Sequence, residues 1–305
     1  MRVSTNQLYY QNTNNISQSQ NKVTQSLEQI SSGKRVVTAG DDPVAMVAID
    51  NLNHQNAQLD QYLSNIIYAQ NRLASTEDLI QGAQDYIGMA NERLLYANSG
   101  ALSDLDKQAI SNELDQIKQG LLELANSKDE SGNYIFAGSQ TDTIPFVDDG
   151  TGVIIYQGDD LNRQLNVADG VTVTTNVSGS DAFLSPINGG LDVFAAITRA
   201  QELMTTPGGI AQLDQAEYAT LLDDLTGTMD ALDVNRSKIG SQLQRLDYYQ
   251  PAHQENQLLN ARAIAPLQDI DFAQAISEFE RQSLAMQAAT QSFAKINSTT
   301  LFDYI

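Results

Sequence analysis

Apolar residues recur along much of this chain at alternating steps of four and three, a spacing that places them on one face of an α-helix. The pattern is clear from Phe272 to Ile296, where the opposite face is polar. A lone helix of this length is marginal in water, so another segment or another molecule must cover its apolar face. Residues 16–30, near the other end of the chain, carry a second stripe. We therefore predict that the two terminal helices pair.

Two further helices are predicted after the first terminal helix. Gly33 has the position of a glycine that ends a helix, and Asp41-Asp42-Pro43 is typical of a helix start. The helix that follows continues to about Asn98, and the cap Ser103-Asp104 begins a second one that ends near Lys128. A short turn between them favours an antiparallel hairpin.

The helical pattern returns later in the chain. It resumes at residues 191–194, is interrupted at Pro207-Gly-Gly209, and is strict from Tyr218 to Leu246. Pro251 should kink or end that helix, because proline removes a backbone donor and clashes one turn back. Pro266 should close a second connector, and the terminal helix should begin at Asp269 or Asp271.

The stretch from residue 129 to 187 has a different character. Short apolar and β-branched runs alternate with glycine and aspartate turns, which predicts hairpins. The predicted strands are Tyr134–Phe136, Val153–Tyr156, Gln164–Val167 and Val171–Thr175. Residues 129–198 hold ten acidic residues and one basic residue. We expect a solvent-facing domain here with its own small core.

The fold class expected from these patterns is mainly α. A long coiled-coil or helical-bundle shaft is formed by the N- and C-terminal segments, and a small β-rich domain is inserted. The predicted division has terminal helices and connectors at 1–43 and 264–305, which are paired on assembly, a helical shaft domain at 44–139 and 188–263, and a β-rich outer domain at 140–187.

Composition excludes several kinds of function. The net charge is −21, with no dominant basic surface, which argues against a nucleic-acid partner. The chain has no cysteine, so it has neither disulfides nor thiolate chemistry. No apolar run is long enough to insert in a membrane, and the first residues do not form a cleavable signal peptide.

No residue pattern predicts a catalytic, cofactor-binding or metal site. His54 and His253 lie in helical segments without a second ligand at metal spacing, so we interpret them as solvated or packed side chains. Gly150-Thr-Gly152 lacks the lysine and the helix of a phosphate-binding loop. The paired aspartates at 148–149 and 159–160 are typical of turns rather than of a calcium loop. We expect no cofactor and no enzymatic activity.

Several segments together resemble one protein family. Ser31-Ser-Gly-Lys-Arg35 followed by Asp41-Asp-Pro43 is similar to the segment that joins the terminal helix to the long helix in bacterial flagellins and hook-associated proteins. The start of the chain and residues 285–296 are also similar to that family. Tyr134–Ser139 and the ending Leu301–Ile305 favour the hook-associated branch over flagellin itself.

The resemblance implies a structural protein at the junction between the flagellar hook and its filament. Its implied partners are hook-associated protein 1, flagellin, other copies of the chain in a ring, an export chaperone and the type III export apparatus. The implied location is the extracellular flagellum, reached without a cleaved signal peptide. The implied assembly interface consists of Ile16, Val23, Leu27, Ile30, Phe272, Ile276, Phe279, Met286, Phe293, Ile296, Leu301 and Phe302.

Three alternatives stay open at the level of sequence. Flagellin itself is the nearest, and it would form the bulk of a sheared filament. A secreted enzyme with coiled-coil arms would need its chemistry within residues 129–187. A cytosolic coiled-coil binding module would stay in the cell lysate.

Overall fold

A computed structural model describes residues 2–98, 102–206 and 215–298. The described residues form α-helices, two short β-hairpins and a single π-helical turn at Ser180–Leu184. The helices are α1 (Arg2–Ser32), α2 (Pro43–Ala97), α3 (Asp104–Ala125), α4 (Val193–Thr205), α5 (Gln215–Gln268) and α6 (Phe272–Ser298). The strands are β1 (Phe146–Asp148), β2 (Ile154–Tyr156), β3 (Gln164–Ala168) and β4 (Val171–Thr174). The mainly α fold class is confirmed, and none of the described helices is long and apolar enough to cross a membrane.

The chain forms two compact units. Unit 1 comprises Met1–Leu59 and Gln254–Ile305, and unit 2 comprises Asp60–His253. Unit 1 has a small core of Val36, Ala45 and Ile49, against which Ile264 and Leu267 pack. The predicted division of the chain into three parts stays a prediction.

The predicted helix boundaries hold where a cap residue marks them. Gly33 ends α1 with a φ of 70°, a left-handed conformation that glycine adopts without a steric penalty. The Ser103 side chain accepts from the Asp106 N–H, and the Asp106 carboxylate accepts from the Ser103 N–H, which is a complete capping box at the start of α3. Helix α3 ends at Ala125, three residues before the predicted position, so boundaries without a cap signal are less exact.

The hairpins are antiparallel two-stranded sheets, β1 with β2 and β3 with β4. Strand β1 was not predicted, and the predicted strand Tyr134–Phe136 is wrong. Ile135 and Phe136 are buried and Tyr134 is half-buried, and the amides of this segment bond to separate segments: Tyr134 N–H donates to Thr141 O and Ile135 N–H to Ser127 O. A run of apolar residues can fill a core without pairing as a strand.

The expectation that the strands have their own core is also wrong. Phe146 on β1, Val167 on β3 and Val173 on β4 are at most 1% exposed, and they belong to the same hydrophobic core as the helices of unit 2. Phe146 is in ring contact with Phe194 of α4, with centroids 5.6 Å apart. The hairpins are therefore packed parts of unit 2.

Pro251 does not end its helix, because α5 continues to Gln268. Proline costs a helix about 3 kcal/mol through the lost hydrogen bond and the clash with the preceding turn. Contacts on both sides of Pro251 offset that cost: Leu246 is fully buried, and His253 Nε2 lies 2.7 Å from Val167 O. Tertiary packing thus overrides the local preference of the sequence.

The predicted second connector before Pro266 is also helix. The link between α5 and α6 is only residues 269–271 long. Helix α6 begins where predicted: the Asp271 carboxylate accepts from the N–H groups of Ala273 and Gln274, at 2.9 and 3.2 Å.

Candidate assembly interface

Helices α1 and α6 pair within unit 1. Ser26 Oγ of α1 donates to Gln282 Oε1 of α6 at 2.9 Å, and the rings of Tyr9 and Phe293 have centroids 5.4 Å apart. The residue numbers fall along one helix as they rise along the other, so the two helices are antiparallel. The predicted pairing of the terminal helices is present.

The predicted residues of α1 fall into two groups. Ile16, Val23 and Ile30 are spaced by seven and are half-buried, as expected for positions that face a partner helix. Leu27 is 54% exposed. The pairing therefore covers only part of the stripe.

The predicted residues of α6 show the same division. Phe279, Met286 and Phe293 are half-buried, whereas Phe272 is 52% and Ile276 46% exposed. Ile296 belongs to α6, and Leu301 and Phe302 lie outside the described residues.

Helix α6 has a further apolar side chain that the heptad pattern did not predict. Leu284 is 65% exposed, although its neighbours Ser283 and Met286 are half-buried. Leu284 lies outside the heptad positions, so the heptad pattern does not identify it as an interface residue. The only signal in the sequence is that it is an apolar residue among polar ones. We call Leu27, Phe272, Ile276 and Leu284 the uncovered strip.

Charged side chains lie beside this helix pair. The Glu278 carboxylate accepts from Gln282 Nε2 at 2.6 Å and from the Arg281 guanidinium. These two hydrogen bonds, with the positive charges of Arg281 and of Lys22 on α1, lower the pKa of Glu278. The carboxylate is therefore ionised at neutral pH, and of these partners only Lys22 lies on the other helix of the pair.

The described residues contain no group of three or more His, Asp or Glu side chains that could hold a metal ion. His253 is packed, as interpreted from the sequence, with its ring stacked 5.5 Å from Tyr62 and 6.0 Å from Tyr249. His54 is exposed and lies 3.6 Å from Asp50.

The turn aspartates have structural partners. The Asp148 carboxylate accepts from the N–H groups of Gly150 and Gly152, and the Asp159 carboxylate accepts from Ser139 N–H at 2.7 Å. These bonds fix turns, in agreement with the interpretation made from the sequence.

Comparisons with known proteins agree with this architecture. Residues 3–141 match the N-terminal helical region of bacterial flagellins, and residues 222–305 match the C-terminal helical region. Flagellar hook-associated protein 3 of Escherichia coli K12 is 30% identical over 317 residues, which cover 99% of this chain and 99% of that protein.

The chain belongs to the flagellar hook-associated protein 3 family. The hook-associated protein 3 of Salmonella typhimurium LT2 is 29% identical over 99% of both chains. A solved flagellar hook-associated protein from Vibrio parahaemolyticus has a TM-score of 0.68 and 26% identity, and it covers 75% of this chain and 100% of its own. The flagellar junction protein FlgL of Legionella pneumophila shares the fold, with a TM-score of 0.62 at 16% identity over 72% of this chain and 99% of its own.

The sequence identities also separate hook-associated protein 3 from flagellin as relatives of this chain. The flagellin of Listeria innocua is also similar over 98% of this chain and 96% of its own, but at 22% identity. Members of the hook-associated protein 3 family and flagellins are structural components of the flagellum, so this chain is a flagellar structural protein and not an enzyme.

Proposed function

We propose that this protein links hook-associated protein 1 to the flagellin filament, as a ring of identical subunits held together through their terminal helices. The observation that carries the proposal is the uncovered strip, which leaves four large apolar side chains in water after α1 and α6 have paired. Burying a side chain of this size stabilises a contact by about 1.5–3 kcal/mol, and a ring repeats that gain in every subunit.

In this arrangement the terminal helices form the inner part of the junction, and the β-rich residues 140–187 face outward. The twelve predicted interface residues would contribute to contacts between subunits, or between this protein and its neighbours above and below.

The proposal includes the route by which the protein reaches the flagellum. The subunit leaves the cell unfolded through the type III export apparatus, and an export chaperone covers the apolar face of α6 beforehand. The absence of cysteine is compatible with such a route, because no disulfide has to be avoided or reduced.

The test is Leu284→Asp, added as purified protein to isolated hooks that already carry hook-associated protein 1. Flagellin is then supplied, and filaments are counted by electron microscopy. An aspartate at this position would bring an unpaired charge into the contact, at a cost of several kcal/mol per subunit. We expect filament growth to be lost, while the melting temperature of the free subunit is unchanged, because residue 284 is in water there.

The matched control is Gln287→Asp, which adds the same charge at an exposed polar position of α6. It should support filament growth at the level of the parent. Normal growth with Leu284→Asp would contradict the assignment of the strip. Recovery of the protein as the bulk of a sheared filament would show that it is a flagellin instead.

A further inference from the structure

The segment between α1 and α2 carries a group of contacts that the apolar seam does not use. Residues 33–35 lie antiparallel to residues 268–270: Arg35 N–H donates to Gln268 O at 2.6 Å, and Ile270 N–H donates to Gly33 O at 3.1 Å. All of these residues are in unit 1. The two segments therefore cross and pair through their backbones at the place where α1 ends and α6 begins.

The Arg35 side chain joins the ends of two helices at this crossing. Its Nη2 donates to Leu267 O at 2.7 Å, and its Nη1 lies 3.2 Å from Asp42 Oδ2. Leu267 is in the last turn of α5, where carbonyl groups lack helical partners and a cation is favourable. Asp42 caps α2 by accepting from Ala45 N–H at 3.0 Å. One guanidinium therefore connects the end of α5 to the start of α2.

Asp41 connects the same crossing to α1. Its Oδ2 accepts from the N–H groups of Val37 and Thr38, at 3.1 and 2.8 Å, and its Oδ1 accepts from Gln25 Nε2 of α1 at 2.5 Å. Gln29 Nε2, one turn further along α1, donates to Arg35 O at 2.7 Å.

We propose that Arg35, Asp41 and Asp42 form a clasp that fixes the direction of the α1–α6 pair relative to the ends of α2 and α5. The apolar seam holds α1 against α6, but it does not fix the orientation of that pair relative to the rest of unit 1. The clasp makes this connection through backbone groups of α5 and α2, Leu267 O and Ala45 N–H, and through the Gln25 side chain on α1. The inference concerns the isolated chain and does not depend on the assembly proposed above.

The clasp affects the orientation of the α1–α6 pair more than it affects the free energy of unfolding. The side chains of Arg35 and Asp42 are 47% and 33% exposed, and ion pairs at that exposure contribute little free energy. Loss of the clasp should therefore widen the range of directions of the helix pair without unfolding either unit. Arg35 is a positioning residue in this sense.

The test measures one distance inside unit 1. The chain has no cysteine, so Gln55→Cys on α2 and Gln287→Cys on α6, both at exposed positions, give a single pair of spin labels in the full-length protein. Double electron–electron resonance should give one narrow distance distribution in the parent. With Arg35→Gln the width of that distribution should at least double, while the thermal unfolding of the protein is unchanged.

Three further variants make the result specific. Lys34→Gln removes a neighbouring exposed cation and should leave the distribution narrow. Asp41→Asn removes a carboxylate that accepts four hydrogen bonds and should broaden the distribution as Arg35→Gln does. Arg35→Lys keeps the charge but cannot donate to Leu267 O and Asp42 from one planar group, so it should not restore the parent width. A narrow distribution in Arg35→Gln, or a broad one in the parent, would overturn the proposal.

Discussion

At the scale of single residues, Gly179 of unit 2 is closely surrounded by aromatic side chains. A Cβ at this position would lie 2.7 Å from both Phe146 Cζ and Tyr156 Cε2. The Phe146 ring is 1% exposed and touches Phe183 and Phe194, so it has no free space into which to move. Gly179 N–H also donates to Phe136 O at 2.9 Å, which holds the backbone in place.

Gly179→Ala should therefore destabilise unit 2. Overfilling a packed core costs about 1–3 kcal/mol, and urea unfolding should show a loss of that size. Gly240→Ala is the matched control, because a Cβ there meets nothing within 4 Å and the residue lies inside α5. The control should gain about 0.5–1 kcal/mol from the lower entropy of the unfolded chain. Equal effects of the two substitutions would contradict the packing described for Gly179.

The stability of unit 2 should depend on pH in the alkaline range because of Tyr156. Burial of its hydroxyl raises the pKa of Tyr156 from 10.0 to about 12; the Gly179 N–H opposes the rise, and Asp160 and Asp159 add to it. Because the neutral phenol is the form favoured by folding, its contribution is complete below about pH 10 and is lost as the pH rises through about 12.

The measurement is the free energy of unfolding of the parent and of Tyr156→Phe across that range of pH. The parent should lose stability more steeply between about pH 10 and about pH 12, because the variant has no hydroxyl to ionise. Parallel curves for the two proteins would show that the hydroxyl is not buried.

At the scale of elements, the sequence predicts the buried faces of helices, which follow from periodicity, and the helix ends that a capping residue marks. The four-three alternation correctly predicts the buried faces of α3 and of the strict part of α5, where Ile110, Leu114, Leu225 and Leu232 are buried. It cannot predict that Pro251 is tolerated, because the compensating bond of His253 to Val167 involves a residue 86 positions away. It also does not distinguish seam residues covered by a partner helix, such as Met286, from Ile276, which stays in water.

Pro251→Ala tests the explanation given for α5. If packing on both sides holds the helix against the local cost of proline, alanine should restore the missing hydrogen bond and raise the free energy of unfolding by up to about 3 kcal/mol. Gln244→Ala, at an exposed position of the same helix, should change it by less than about 0.5 kcal/mol. A loss of stability in Pro251→Ala would mean that the proline ring itself makes a needed contact.

At the scale of the whole molecule, the hairpins and the helices of unit 2 depend on each other. Phe146, Val167, Val173 and Phe183 lie between residues 140 and 187, and each is at most 1% exposed. Their partners include Phe136 and Phe194, which belong to the segments on either side. A single core that draws on both parts unfolds as one cooperative unit.

Replacing residues 140–187 with a short Gly/Ser linker should therefore disrupt unit 2. Each buried phenylalanine contributes about 1.5–3 kcal/mol, and the loss of this whole set would approach the 5–15 kcal/mol by which a folded domain is typically stable. We expect a lower melting temperature, a broader transition and a partial loss of helical circular dichroism. The control replaces only residues 149–152, a mostly exposed turn, with Ser-Gly-Ser-Gly, which keeps glycine at positions 150 and 152 where φ is 88°, and it should melt close to the parent. A sharp transition and a full helical signal in the large replacement would contradict the shared core, because they would show that the helices of unit 2 need no contribution from the strands.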